Sequence, residues 1–325
     1  MRAVTFTRYA GPEQLTVTDV PRPQPGDGEL LVRVVCASLN AFDWHQYRGD
    51  PLLVRTREGW RVTSPRVLGA DLAGVVESVG PGVTGYAPGD HVLAEISRGA
   101  LAEYAVVPTS LCAKLESAVG FDAAAAVPMA GLTALQALRD VAKVTAGERV
   151  LVWGASGGVG HLAVQIARIL GASQVDAVCS GRNAQMMRSI GADRAFDYGS
   201  TDLPTGPYDV IIDTVCTRSL RQLMPLLSST GRVATLGGIA NGRILGPGRP
   251  IIGRMITSAL FRAPHQKVLA NISANDLTWL AARLADGSLT PVIQRAFALD
   301  EIVHACRVLE EGHVAGKLIV RVGEP

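Results

Sequence analysis

The chain has 325 residues, of which 48% are hydrophobic and 18% are charged, and its formal net charge is +2. This length and apolar content are sufficient for two domains with buried cores. The small net charge and the scattered basic residues give no electrostatic field that would attract nucleic acid. No apolar run is long enough to span a bilayer.

The cysteine content and the amino-terminal residues indicate in which cellular compartment the protein is expected. The five cysteines lie far apart and include no C-x-x-C pair, which is typical of reduced thiols. The first residues, MRAVTFTRYAG, alternate like a strand and have neither a signal-peptide core nor transit-peptide character. We therefore expect a cytoplasmic protein.

Short strands separated by glycine and proline turns occupy the chain up to about residue 120. Strand character is clear over Leu30 to Ser38, Leu72 to Val79 and His91 to Ala94. Turn clusters such as PRPQPGDGE and GPGVTGYAPGD separate the strands. The pattern predicts a compact, mostly antiparallel, barrel-like unit.

From Phe121 onward, helical and strand patterns alternate. The expected helices are Asp122 to Val141, Val159 to Leu170, Ala184 to Ile190 and Leu220 to Leu227. The expected strands are Val150 to Trp153, Val175 to Val178, Arg194 to Phe196, Val210 to Asp213 and Arg232 to Leu236. Alternation with short links predicts a parallel, doubly wound sheet, so the fold class is α/β.

The last part of the chain has a helix followed by strand, helix and strand. The helices are expected over Asn275 to Asp286 and Leu299 to Glu310, and the closing strand over Gly316 to Val322. We expect this end to rejoin the first unit. The predicted domains are thus 1–120 with 288–325, and 121–287.

The segment RVLVWGASGGVG, from Arg149 to Gly160, is a strand that runs into a glycine turn and then a helix. Such a turn leaves the amide groups at a helix start open to a pyrophosphate. Ala155 replaces the first glycine of the usual G-x-G-x-x-G spacing, and Gly154 stands just before it. The context predicts a dinucleotide site.

The end of the second strand predicts which dinucleotide binds. An acid there would hold a ribose hydroxyl, but the chain has Cys179-Ser180-Gly181-Arg182-Asn183. A hydroxyl and a guanidinium can bind a 2′-phosphate, so NADPH is favoured over NADH. The alternative is that Arg182 is an ordinary solvated charge.

These features together resemble the medium-chain dehydrogenase/reductase superfamily, in its zinc-independent quinone oxidoreductase branch. The resemblance rests on LGADLAGVVESVGPGV, YAPGDHV, AAAAVPMAGLTALQAL, GASGGVG, SIGADRAFDY, YDVIIDTV and EEGHVAGKLIV. It implies a GroES-like catalytic domain built from both chain ends and a central Rossmann domain.

The resemblance also implies that no metal is bound. Zinc-bearing relatives have a cysteine where this chain has Asn40 and a histidine where it has Ala70. The segment from His91 to Glu103 contains none of the cysteines of the structural zinc lobe. Zinc requires three or four converging nitrogen, sulfur or oxygen ligands.

The resemblance assigns a cofactor role to thirteen residues. They are Ala155, Ser156, Gly157, Gly158, Val159 and Gly160 in the turn; Ser180, Arg182 and Tyr198 at the adenosine phosphate end; Thr133, Gly237 and Gly238 near the nicotinamide; and Lys317 close to the cofactor. The alternatives are a packing aromatic for Tyr198 and a surface lysine for Lys317.

On the substrate side the resemblance points to Asn40 and Asp43, with His45 two residues further on. Asp43 is alternatively a helix cap. His45 is either a proton donor near neutral pH or a surface histidine.

The leading hypothesis is an NADPH-dependent, zinc-independent reductase of quinones or α,β-unsaturated carbonyls. One alternative is an enoyl-thioester reductase for carrier-bound acyl chains, with Arg55, Arg57 and Arg61 on a basic approach. Another is a non-catalytic NADPH-binding interaction protein. A homodimer is expected through an outer strand, Gln266 to Ile272, and the role of 241–264, as cover or interface, stays open.

Overall fold

The computed structural model describes residues 1–236, 253, 254, 258 and 265–324, without the side chain of residue 57. The chain forms two compact units: Met1–Leu132 with the chain from Ile272 onward, and the described residues of Thr133–Asn271. The division lies near, but not at, the predicted limits of 120 and 288. Residues 121–132 and 272–287 belong to the first unit because their helices pack on its strands.

The strands of the first unit are β1 Arg2–Phe6, β2 Thr16–Asp19, β3 Glu29–Leu39, β4 Arg66–Val67, β5 Asp71–Val79, β6 His91–Glu95, β7 Tyr104–Pro108, β8 Cys112–Lys114, β15 Ile293–Ala298 and β16 Lys317–Arg321. Those of the second are β9 Arg149–Trp153, β10 Gln174–Cys179, β11 Arg194–Asp197, β12 Tyr208–Asp213, β13 Leu227–Thr235 and β14 His265–Lys267.

The helices with described bounds are α1 Ala41–Arg48, α2 Val54–Glu58, α3 Phe121–Ala125, α4 Pro128–Gln136, α5 Gly160–Ile169, α6 Ala184–Ser189, α7 Leu220–Leu223, α8 Ala274–Ala285 and α9 Ile302–Glu310. The single helix expected over Asp122 to Val141 was wrong. Pro128 begins a new helix because its ring cannot occupy a helix interior, and a π-helical turn, Ala137–Val141, follows α4.

The first unit is predominantly antiparallel. Its larger sheet has the order β15-β16-β3-β5-β6-β8, with β7 also paired to β3, and its smaller sheet has the order β2-β1-β4. Among the described strands of the larger sheet, only β15 and β16 pair in parallel. A core that includes Leu30, Leu72, Phe297 and Val320 joins residues from both ends of the chain.

The second unit contains the predicted parallel sheet. Its six described strands have the order β11-β10-β9-β12-β13-β14 and pair in parallel throughout. Their central residues, such as Leu151 and Ile211, are buried, as expected for a sheet covered on both faces. The strand order reverses between β9 and β12, and ligands of such sheets bind outside the carboxyl ends of the strands at this point.

Candidate functional site

The glycine turn follows β9 directly, at the point where the strand order reverses. Gly154 has φ +80°, and a Cβ there would lie 2.4 Å from Thr214 Oγ1. A Cβ on Gly160 would lie 2.4 Å from the Gly154 carbonyl oxygen. Both positions therefore require glycine, because α5 begins tightly against the end of β9.

Hydrogen bonds from neighbouring strands hold this turn in place. The amides of Gly154 and Ala155 donate to the Val178 carbonyl at 3.0 and 2.9 Å. The Thr214 hydroxyl donates to the Gly154 carbonyl at 3.2 Å. The turn that carries Ser156, Gly158 and Val159 is thus fixed before any ligand binds.

Gly157 differs from Gly154 and Gly160 in what surrounds it. A Cβ at this position would meet nothing closer than the Gly154 carbonyl at 3.5 Å, which is ordinary contact. The protein's own packing therefore does not require glycine here. A ligand that approaches the backbone closely does require it, and a pyrophosphate at a helix start is such a ligand. The turn fits a dinucleotide.

Ser180 and Tyr198 follow the ends of the adjacent strands β10 and β11. Ser180 begins a short 3₁₀ turn, Gly181–Asn183, in which Arg182 is exposed. The Tyr198 amide donates to the Cys179 carbonyl at 3.0 Å, and its side chain is 54% exposed. The exposed ring argues against a purely packing role for Tyr198.

Asp197 also lies at this edge and is not among the residues predicted from the sequence. A Cβ on Gly181 would lie 2.5 Å from Asp197 Oδ2, so the carboxylate contacts the turn after β10. Its other oxygen accepts the Gly199 amide at 3.0 Å. The chain therefore has an acid beside the Ser180 turn, supplied by the third strand of the sheet instead of the second.

The remaining cofactor residues are distributed as follows. Thr133 is half-buried within α4, at the start of the second unit. Gly237 and Gly238 lie outside the described residues. Most of segment 241–264, whose role as cover or interface stays open, also lies outside them. Lys317 begins β16 in the first unit and is 2% exposed, so the surface-lysine alternative is wrong.

Polar residues form a row across one end of the larger sheet of the first unit. Ile319 on β16 pairs with Ser38 on β3, Ser38 pairs with Asp71 on β5, and Asp71 pairs with Glu95 on β6. Directly opposite residues in antiparallel strands point to the same face of the sheet. Lys317 lies two positions before Ile319, and Asn40 lies two positions after Ser38. These two residues extend the row by one further step.

The amide of Asn40 is held in one orientation by charged neighbours. Lys317 Nζ donates to Asn40 Oδ1 at 2.5 Å, and Asn40 Nδ2 donates to Asp71 Oδ2 at 2.9 Å. An ammonium can only donate and a carboxylate can only accept, so the two ends of the amide cannot exchange. Asn40 is 9% exposed.

Asp71 is the centre of this hydrogen-bond network and is fully buried. It also accepts from the Ser38 hydroxyl at 3.1 Å and from the Met129 amide at 3.1 Å, while Lys317 Nζ lies 3.6 Å away. Burial raises the pKa of Asp71 and lowers the pKa of Lys317, and each charge counters the effect on the other.

Asp43 lies in the first turn of α1 and acts as a cap. Its carboxylate accepts the Asn40 amide at 2.7 Å, and its second oxygen is buried without a partner. Burial raises the pKa of Asp43 to about 7. The helix-cap alternative is therefore present in the structure, and the carboxyl is enclosed beneath Asn40.

His45 is half-buried on α1 and is hydrogen-bonded outside the row. Its Nδ1 lies 2.5 Å from the Asp50 carbonyl, and its ring stacks on Trp44 with centroids 3.8 Å apart. Since a carbonyl only accepts, Nδ1 carries the hydrogen and neutral His45 keeps a lone pair on Nε2. Burial lowers the pKa of His45, which disfavours the protonated form.

Glu95 ends β6 beside Asp71 and was also missed from the sequence. It is half-buried, whereas Asp43 and Asp71 are fully enclosed. Burial and the charge of Asp71 raise the pKa of Glu95 to about 8. A carboxyl with such a pKa is protonated at neutral pH and can donate a proton.

Of the arginines expected to form a basic approach, Arg55 makes contacts within the first unit. Arg55 Nε donates to the Gly49 carbonyl at 2.9 Å, and its guanidinium lies 4.5 Å from the Tyr9 ring centroid. Arg61 is exposed, and the side chain of Arg57 lies outside the described residues. The geometry gives the enoyl-thioester alternative no specific support.

Two broader features concern metals and membranes. Within the described residues, no group of three or more histidine, cysteine, aspartate or glutamate side chains could hold a metal ion. In the same part of the chain, no helix combines the length and apolar character needed to cross a bilayer.

Comparison with known proteins identifies relatives along the whole chain. Residues 26–117 match the family described as alcohol dehydrogenase GroES-like domain, and residues 190–320 match the family described as zinc-binding dehydrogenase. The chain is 32% identical to a chloroplastic quinone oxidoreductase of Triphysaria versicolor, with 98% of each covered. It is 29% identical to the chloroplastic NADPH-dependent alkenal/one oxidoreductase of Arabidopsis thaliana, with 98% of this chain and 79% of that protein covered.

A solved structure shows the same fold. The quinone oxidoreductase of Coxiella burnetii superposes with a TM-score of 0.86 at 30% identity, and 99% of each chain is covered. This likeness confirms the expected α/β class with a GroES-like and a Rossmann-like domain. The chain belongs to the medium-chain dehydrogenase/reductase superfamily, in its quinone oxidoreductase-like branch.

Proposed function

We propose that the protein is a nicotinamide-dependent oxidoreductase that uses NADPH to reduce quinones or α,β-unsaturated carbonyl compounds without zinc. Relatives named as quinone and alkenal/one oxidoreductases support this substrate class. The observation that carries the proposal is the fixed amide of Asn40, whose oxygen is held by Lys317 and whose nitrogen is held by Asp71.

The dinucleotide binds at the glycine turn. The turn from Ala155 to Gly160 leads into the first turn of α5, where the helix dipole favours an anion. When bound, the nicotinamide supplies a hydride to the acceptor. The turn would hold the pyrophosphate, and the absence of a side chain at Gly157 would leave room for it.

The choice of NADPH rests on the edge formed by the ends of β10 and β11. Ser180 and Arg182 supply a hydroxyl and a guanidinium, which favour a 2′-phosphate. The Arabidopsis relative is named as NADPH-dependent, which agrees. Asp197 acts in the opposite direction because its carboxylate repels a phosphate, so we expect a moderate preference instead of an absolute one.

Asn40 stabilises the negative charge that develops on the acceptor oxygen. One hydrogen of its Nδ2 is used by Asp71, and the second is the donor offered to the substrate. The donation from Lys317 to Oδ1 withdraws electron density from the amide and strengthens that second donor. A fixed donor aimed at a developing oxyanion is an effective catalytic device.

The zinc-ligand positions are consistent with chemistry that does not use a metal. The side-chain amide of Asn40 is already hydrogen-bonded to Lys317 and Asp71, and the side chain of Ala70 has no atom that can bind a metal. Conjugated acceptors suit such a site, because they delocalise the added electrons without a Lewis acid.

The assembly of the protein belongs to the same proposal. Among the described strands, β14 lies at the edge of the parallel sheet, where a strand can pair with the same strand of a second subunit. We propose a homodimer on this basis.

A steady-state screen tests the proposed function. Oxidation of NADPH and NADH is followed by absorbance with a small quinone, an enone and an enoyl thioester as acceptors. The proposal expects turnover with the quinone or the enone and a lower KM for NADPH. Binding of NADPH without turnover of any acceptor would instead support a non-catalytic interaction protein.

A further inference from the structure

The polar row contains more acids than bases. The carboxyls of Asp43, Asp71 and Glu95 act on one another and on a single ammonium, that of Lys317, within the part of the chain that the structure describes. Buried like charges disfavour each other's ionisation, and burial disfavours each charge separately. At least one of the three carboxyls therefore keeps its proton near neutral pH.

The hydrogen bonds show which carboxyl is available to a bound molecule. Asp71 is fully enclosed, and its two oxygens accept bonds from Ser38, Asn40 and Met129. Asp43 is also fully enclosed and is bonded to the Asn40 amide. Of the three acids, Glu95 is the one that keeps exposed surface, and it lies on the face of the sheet that carries Asp71.

We propose that Glu95 is the proton donor of the reaction, an inference that rests on the proposed reductase function. The hydride and its electron pair come from the nicotinamide dinucleotide and reduce the acceptor, which leaves a negative charge on the acceptor oxygen. The O–H bond of Glu95 breaks, its electron pair stays on the carboxylate, and the proton forms a new O–H bond on the acceptor. Water then returns a proton to Glu95.

Three further charged side chains on the elements that pack against β6 have partners of their own. The groups that act on Glu95 are Asp71 from β5, Lys317 from β16 and Asp43 from α1. On the other elements packed against β6, Lys114 of β8 pairs with Asp90, Asp122 of α3 pairs with Arg321, and Arg283 of α8 pairs with Asp286.

The proposal predicts a specific pH dependence. Since Glu95 must be protonated to act, turnover falls as the pH rises through about 8, the value to which burial raises the pKa of Glu95. A histidine donor would lose its proton at lower pH, because burial lowers the pKa of His45. The position of the alkaline limb therefore separates the two residues.

The first experiment compares Glu95→Gln, His45→Phe and Glu77→Gln as purified proteins with a quinone and NADPH. Glu77 is an exposed glutamate of the same sheet, paired with Arg22 at 2.7 Å, and serves as the matched control. We expect Glu95→Gln to lower turnover by about 10²- to 10⁴-fold and to abolish the alkaline limb. The affinity for NADPH should stay unchanged, and Glu77→Gln should behave like the wild type.

A second readout does not depend on activity. A carboxyl with its folded-state pKa raised from 4.5 to about 8 contributes stability at low pH that is lost as the pH rises through that range. The melting temperature of the wild type should therefore fall between about pH 5 and pH 9, and Glu95→Gln should reduce that fall.

The outcomes are distinguishable. Wild-type turnover in Glu95→Gln, or loss of the alkaline limb in His45→Phe, overturns the role of Glu95 and leaves the reductase function intact. A wild-type protein that reduces no acceptor overturns both proposals. An unchanged melting profile in Glu95→Gln shows that Glu95 does not hold the proton and overturns the inference by itself.

Discussion

The substitution Gly157→Ala tests whether glycine is required at position 157 by a bound ligand or by the packing of the protein itself. The added methyl would meet no atom closer than 3.5 Å, and Gly157 is not among the glycines with positive φ. We therefore expect the free energy of unfolding to change by less than about 0.5 kcal/mol. A pyrophosphate packed against this backbone would meet the methyl directly, and such overpacking costs about 1–3 kcal/mol. That cost corresponds to a loss of NADPH affinity of about 5- to 150-fold.

The assay is a fluorescence titration of NADPH alongside a thermal melt, with Gly160→Ala as the matched variant. A methyl on Gly160 would lie 2.4 Å from the Gly154 carbonyl, so this variant should lose stability as well as affinity. An unchanged dissociation constant in a stable Gly157→Ala protein would refute the placement of the pyrophosphate at this turn.

Four further predictions concern cofactor choice, catalysis, metal content and assembly. Arg182→Ala should weaken NADPH about tenfold or more with little effect on NADH, while Asp197→Asn should tighten NADPH by about 2- to 5-fold; equal changes for both cofactors in titrations would contradict the assignment. Asn40→Ala should lower turnover by about 10²-fold in steady-state assays with little change in NADPH affinity, and unimpaired turnover would exclude Asn40 as the oxyanion donor. Elemental analysis should find far less than one zinc per chain, and retention of activity in chelator is expected; stoichiometric zinc needed for turnover would refute this. Light scattering at micromolar concentration should show a dimer, and Gln266→Pro in β14 should weaken that dimer. A purely monomeric wild type would count against the proposed edge pairing.

The parallel sheet was predictable because its signals are local. Alternating strand and helix patterns, each closed by glycine or a polar residue, appear in the order in which the elements occur, and the glycine turn occupies the expected place after β9. The alanine-rich pattern from Asp122 to Val141 does not form one helix, because Pro128 cannot occupy a helix interior. A proline inside a helical pattern marks a boundary, and the structure has one there.

The polar row could not be predicted from the sequence because it depends on strand pairing. Lys317 and Asn40 are 277 positions apart, and only the register of β16 against β3 brings them together. Asp71 is the first residue of β5 and Glu95 is the last residue of β6, and both strands are largely apolar. An acid at the end of such a strand is ordinarily exposed to solvent. Their signal becomes visible once β5 and β6 are paired, since the two acids then lie opposite each other.

Asp197 was missed for a related reason. The acid that contacts the ribose usually follows the second strand, and this chain has no acid between Cys179 and Asn183. β11 lies beside β10 in the sheet, with Cys179 opposite Asp197, so the third strand contributes to the same edge. Neighbouring parallel strands should be considered together when cofactor preference is inferred from sequence.

Isotope transfer tests the central claim most directly. The wild-type protein is incubated with an enone and NADPH that carries deuterium at the transferable position of nicotinamide C4, and the product is analysed by mass spectrometry. The account predicts one deuterium on carbon in each product molecule and one molecule of NADPH oxidised for each product formed. Oxidation of NADPH without deuterium in the product, or no reduction of either an enone or a quinone, would contradict it.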